Sequence, residues 1–139
     1  NRVVVADGCI VTNGCLDRCS LGVRSVVHSG ANLKDVVMLG ADSYETVEDL
    51  RENAVLGRPA MGVGPGSVVK HAILDKNVRI GNNVVLDPAG LPDHFGEGID
   101  LAIRDGVLVV CKNVVVPTNH KQNACTFSWC PHSIFDIFL

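Results

Sequence analysis

Apolar residues recur every six positions through the middle of the chain. Val68, Leu74, Ile80 and Leu86 form one row, and Ala72, Val78 and Val84 form a second at the same interval. A helix repeats near 3.6 and an exposed strand near 2, so neither template fits. Short strands that turn a corner at every repeat would give a period of six. Hexapeptide periodicity of this kind is the signature of a β-helix, an all-β solenoid whose coils bury their interior only by stacking.

An earlier row at Cys9, Cys15, Leu21, Val27, Leu33 and Leu39 repeats the interval. Its companion row, Val5 and Val11, is interrupted at Asp17. Gly8, Gly14, Gly22 and Gly30 fall between apolar positions, where tight corners favour positive φ. Between residues 40 and 62 the row stops, and ETVEDLRENAVL reads as a short helical excursion. Asp42 or Ser43 is the expected N-cap, and Gly57 followed by Arg58-Pro59 the expected stop. The repeat resumes with VGPGSV, breaks in a loop at residues 87–102, and returns from Ile103 to Val116. The expected β-helix is therefore residues 1–116. Residues 117–139, with three Phe and the single Trp, continue no hexad and read as an atypical tail, disordered or the product of an intron or frameshift.

Composition narrows the function. Apolar content of 47% and charged content of 19% suit a globular domain. A net charge of −3 argues against a general nucleic-acid binder. No apolar run approaches the roughly 20 residues that span a bilayer. The six cysteines include no paired CxxC, so zinc is unsupported. Cys9 and Cys15 sit on the apolar row and read as buried free thiols. A first residue of Asn1 points to a piece of a longer protein.

Several segments resemble one family in order: GVRS, SGANLKD, MLGADSYET, ILDKNVRIGNNVVL and IRDGVLVVCKN. Together, over roughly residues 3–116, they resemble the C-terminal domain of plant and cyanobacterial ADP-glucose pyrophosphorylase. The GAD-x-YET and DKN-x-RIG pair at this separation carries most of the specificity. The resemblance implies a left-handed parallel β-helix, an exception to right-handed crossovers. It implies an upstream nucleotidyltransferase domain joining ATP and glucose 1-phosphate, with Mg2+, in starch or glycogen synthesis. This stretch itself would hold no catalytic residue and no cofactor. Its partners would be sister subunits of a tetramer and the effectors 3-phosphoglycerate and phosphate. The location would be a plastid, or the cytoplasm of a cyanobacterium. LKD before MLGAD and the IRDG segment lean towards the large, regulatory subunit type.

Lys76 in ILDKN and Lys112 in VVCKN match the family's activator-site lysines by resemblance. Spacing gives an independent argument. The lysines are 36 positions apart; removing the 16-residue loop leaves 20, close to the roughly 18 residues of a three-hexad coil. Both should therefore lie on one face of adjacent coils, where two ammonium groups can bind a phosphate and a carboxylate. Asp75 would orient or balance Lys76, and Arg104 is a possible third cation. The loop at 87–102 shows no legible DNVQEA-like segment, which leaves effector contacts from that loop unassigned.

Other readings use the same fold class. A hexapeptide acyltransferase would need a general-base histidine, for which His28 and His71 are candidates. A metal-dependent carbonic anhydrase of this fold needs three histidines, yet His28, His71 and His94 lie in unlike contexts. A non-catalytic interaction module is the third. Cys111 beside Lys112 raises a redox coupling if the thiol is exposed, although strand alternation would let it point inward.

Overall fold

The computed structural model describes residues 2–95 and 100–123. Their strands stack into three parallel ladders that wind as a β-helix. The first ladder joins Cys15–Asp17, residues 32–34, residues 68–70, Val85–Leu86 and Lys121–Gln122. The second joins Val3–Val5, Cys19–Leu21, residues 36–38, residues 72–74 and residues 108–110. The third joins Ile10–Val11, Val26–Val27, Gly62–Val63, Arg79–Ile80 and Val115–Val116.

Most uninterrupted rungs close over 17 residues, not 18, and two at the start of the solenoid, Val3 with Cys19 and Ile10 with Val26, over 16. Cys15 faces Asn32, Ser20 faces Val37 and Val68 faces Val85, each pair 17 positions apart. In the row of inward residues Leu21, Val27 and Leu33 are six apart, but the next member of that row is Met38, five on. Leu39, expected inside, is 44% exposed, and Val69 rather than Val68 is fully buried, five positions before the buried Leu74. The cause is the corner between the first and second ladders. The strands Asn32–Met38 and Val68–Leu74 run through it on a single left-handed residue, Asp35 at φ 55° and His71 at φ 46°. One side of each coil is therefore a pentad, and a strict row of six slips by one there.

The same slip corrects the reading of the cysteines. Leu16 packs against the core, while Cys15 is exposed and Cys9 is half-buried. Only Cys19 is a buried thiol among the described cysteines; Cys125 and Cys130 lie outside the described residues. The glycine expectation holds at Gly8 and Gly30, with φ of 74° and 77°, but not at Gly14 or Gly22. Gly22 is needed for close approach instead: a Cβ there would stand 2.5 Å from the Leu39 carbonyl oxygen.

Two insertions interrupt the coils. Val27 pairs with Val63 and Ile73 with Val109, each 36 positions apart, an excess of 19 over a plain coil. The first insertion carries the helix Val47–Leu56. Its N-cap is Thr46, not Asp42 or Ser43. The Thr46 hydroxyl accepts the Asp49 N–H at 3.1 Å and the Asp49 carboxylate accepts the Thr46 N–H at 2.8 Å. This reciprocal capping box satisfies two otherwise orphaned donors. Gly57 closes the helix at φ 66°, as expected.

Glu45 fastens that insertion to the solenoid. Its carboxylate accepts from Arg79 on the third ladder, from Asn53 Nδ2 at 2.7 Å and from the Met61 N–H at 3.1 Å. Arg79 also donates to the Pro59 carbonyl at 2.9 Å. Burial pushes the Glu45 carboxyl up, but the Met61 N–H, Arg79 and Asn53 outweigh it and hold it below the ordinary glutamate value.

The second insertion is more than a loop. Leu101–Arg104 pairs antiparallel with Val107–Val110, and His94–Phe95 pairs with Leu101–Arg104. Ile103, expected in a returning coil, belongs to this hairpin, and the coil resumes only after the Asp105-Gly106 turn. The hairpin lies along the outer edge of residues 108–110, the last rung of the second ladder among the described residues. An edge that would offer unpaired N–H and C=O groups is thereby covered. The first ladder continues past Pro117, since Lys121–Gln122 pairs with Val85–Leu86. Most of the atypical tail, residues 124–139, lies outside the described residues.

Candidate functional site

The corner between the second and third ladders carries a vertical stack of turns. Arg24 N–H donates to Asp7 O, Ala41 N–H to Val23 O, Asn77 N–H to Gly40 O and Asn113 N–H to Lys76 O, at 3.0–3.1 Å. Arg24, Asn77 and Asn113 turn this corner at φ of 59°, 60° and 64°. Asparagine tolerates that left-handed conformation better than most residues, which explains the Lys-Asn pair at both Lys76-Asn77 and Lys112-Asn113. The Asn77 amide also donates to the Asn113 side-chain oxygen at 3.2 Å.

Lys76 and Lys112 therefore occupy equivalent corner positions on adjacent coils, 36 residues apart because the second insertion intervenes. Both are exposed. Asp42, from the first insertion, projects to the same corner. Its carboxylate stands 3.5 Å from Lys76 Nζ and accepts from Asn77 Nδ2 at 2.8 Å, and its N–H donates to Asn77 Oδ1 at 2.9 Å. The Asn77 hydrogen bond, helped by the positive charges of Lys76 and Lys112, outweighs an opposing desolvation and holds the Asp42 carboxyl below the ordinary aspartate range. Beside this stack a depression of about 320 Å³ is lined by Asp42, Ser43, Arg58, Asn77, Arg79 and Asn113, with two apolar residues.

The other two expected residues lie differently. The Asp75 carboxylate accepts the Lys76 backbone N–H at 2.7 Å, so it braces the turn, and the carboxylate beside the Lys76 ammonium is that of Asp42. Arg104 ends the hairpin strand Leu101–Arg104 opposite Val107. That register sets it at the end of the second ladder remote from Lys112. Reading the sequence did not single out Asp42, Asn77 or Asn113 as site residues. The repeated Lys-Asn dipeptide was the available signal for the asparagines; nothing local marked Asp42.

The histidines of the rival readings are dispersed. His28 hydrogen-bonds through its backbone to Val63, and its Nε2 is buried without a partner among the described residues. His71 stands at another corner, 3.5 Å from Asp35, which also takes two hydrogen bonds from Arg18 at 2.6 and 3.0 Å. No group of three metal-ligating side chains occurs among the described residues. Cys111 is exposed, so the inward orientation that strand alternation allowed is not adopted.

Three stacked ladders, left-handed corner residues and hexads shortened to pentads define a parallel β-helix of the hexapeptide class. Residues 1–120 match the GLGC left-handed parallel β-helix domain, and the chain belongs to that family. Over 115 residues it is 38% identical to the large subunit 1 of glucose-1-phosphate adenylyltransferase, chloroplastic/amyloplastic, from Zea mays. Over 116 residues it is 34% identical to the small subunit of the same enzyme from Triticum aestivum. These alignments cover 81% and 83% of this chain but only 22% and 24% of the two relatives. The chain thus spans about a quarter of their length.

Proposed function

We propose that this chain is the regulatory and assembly domain of a plastidial glucose-1-phosphate adenylyltransferase subunit. In that reading the parent enzyme makes ADP-glucose and pyrophosphate from ATP and glucose 1-phosphate for starch synthesis. The β-helix takes no part in the bond-making step. It binds 3-phosphoglycerate or phosphate and packs against sister subunits of the tetramer.

The observation that carries the effector reading is the stack of Lys76 over Lys112, tied by the hydrogen bond from Asn113 N–H to Lys76 O. Each lysine acts as a mobile point charge, so the pair can share one phosphate or divide a phosphate and a carboxylate. Asn77 and Asn113 supply polar edges in the adjoining depression for hydroxyl groups.

Titration of the full chain with 3-phosphoglycerate tests the proposal. Saturable binding is expected, lost in the Lys76→Met and Lys112→Met double variant and weakened in steps by the singles. Binding that ignores both lysines would remove the effector assignment. The assignment to the parent enzyme is tested separately by sequencing the full-length transcript, where an in-frame nucleotidyltransferase domain is expected upstream. Its absence would overturn that assignment and leave a free-standing β-helix.

A further inference from the structure

Two stacked ammonium groups on a solenoid corner should repel each other, yet Lys76 and Lys112 do not face each other alone. Asp42 arrives from the other insertion and holds one carboxylate oxygen 3.5 Å from Lys76 Nζ, the other on the Asn77 amide. The backbone of Asp42 is pinned as well, through its N–H to Asn77 Oδ1. A carboxylate bracketed by a lysine and an asparagine amide on an anion-binding corner imitates an anionic ligand.

We propose that Asp42 is the resident counter-anion of this site, and that an incoming phosphate must displace its carboxylate from Lys76. This inference rests on the effector reading above and adds its regulation and selectivity. With Asp42 in place the three groups sum to one positive charge, so a monoanion gains little by exchanging with the carboxylate. A doubly charged phosphate gains more, because it can engage both lysines at once. Asp42 is thereby a specificity-determining residue, set by the first insertion, for a site whose lysines belong to the coils.

Lys76 and Asp42 are each about half exposed, so the exchange is modest in size and sensitive to salt. In Asp42→Asn the carbonyl of the new amide can still accept from Asn77, which preserves the turn. At low ionic strength that variant should bind inorganic phosphate about two- to five-fold tighter than the wild type, with the gain shrinking as salt rises.

The experiment is a calorimetric titration of inorganic phosphate into the full chain and into Asp42→Asn, Lys76→Met and Lys112→Met, with thermal melts to confirm folding. Tighter binding in Asp42→Asn together with loss in both lysine variants supports the proposal. Loss in the lysine variants with unchanged or weaker binding in a folded Asp42→Asn overturns it and leaves the effector reading standing. Unaltered binding in the lysine variants overturns the effector reading itself, and this inference with it. A measurement on the wild type covers misfolding of the variant. The Asp42 carboxyl carbon resonance should move during the phosphate titration with the midpoint seen calorimetrically. A stationary signal sinks the displacement idea.

Discussion

The two insertions add the same 19 residues to a 17-residue coil, yet they are anchored by opposite physics. The first is fastened by charge and hydrogen bonds: Glu45 gathers Arg79, Asn53 and the Met61 N–H, while most apolar residues of its helix, such as Val47 and Val55, stay exposed. The second is fastened by apolar burial, with Leu101 at 4% and Ile103 at 1% exposure in the solenoid core. A helix with little apolar area to bury needs specific polar partners. A hairpin that continues a sheet brings its partners along in the backbone. The polar anchor also fixes where Asp42 emerges, whereas the apolar anchor covers an edge.

That contrast can be broken experimentally, beginning with the largest effect. Ile103→Ala leaves a cavity in a core position and should cost about 3–4 kcal/mol in chemical unfolding. Hydrogen exchange of residues 101–110 should speed up while the helix Val47–Leu56 stays protected. Equal loosening of both insertions would show that they are not independent.

Glu45→Gln leaves Arg79 without its carboxylate in a nearly enclosed setting and should cost about 2–3 kcal/mol, read in the same assay. Acid sharpens the comparison. The folded Glu45 carboxyl lies below its ordinary value, so its contribution is complete above the ordinary glutamate range and is lost as pH falls through the folded value. Exchange in residues 45–61 should therefore rise on acidification before exchange in residues 101–110 does. The reverse order would refute the polar assignment.

Thr46→Ala removes the N-cap and should cost about 1 kcal/mol, visible as local fraying of the helix rather than a shift of global unfolding. Smallest of all, Arg18→Met breaks the exposed pair with Asp35 and should leave the melting temperature within error. A clear drop there would mean that corner ladders contribute to the fold as the two anchors do.

The sequence revealed the solenoid wherever the period was strictly six. Leu74, Ile80 and Leu86, with Ala72, Val78 and Val84, are all buried as their spacing required. It misled at Leu39, Val68 and Cys15, each next to a side of the coil closed by one left-handed residue. A pentad cannot be told from a broken hexad without knowing which residue turns the corner. The helix was legible over ETVEDLRENAVL, residues 45–56, with its stop at Gly57, but its cap was misplaced because Asp42 is engaged 35 positions away with Asn77. Ile103 looked like a coil residue because an antiparallel hairpin strand alternates just as a coil strand does. At the candidate site, the lysines were marked by the family resemblance and spacing set them on one face, whereas Asp42 reaches the corner only through an insertion whose path no local pattern encodes.

The equal length of the insertions has a consequence for how the chain assembles. Rungs such as Cys15 with Asn32, Gly62 with Arg79 and Val68 with Val85 close over 17 residues, whereas Val27 with Val63 and Val85 with Lys121 close over 36. Doubling a closure adds only about 0.6 kcal/mol of entropy, but it must be met before the next rung returns any contact energy. Coil formation should therefore start within the short-closure segments and pause at the two long ones. The solenoid would zip in stages, with its kinetic joints where the insertions leave and rejoin the coils.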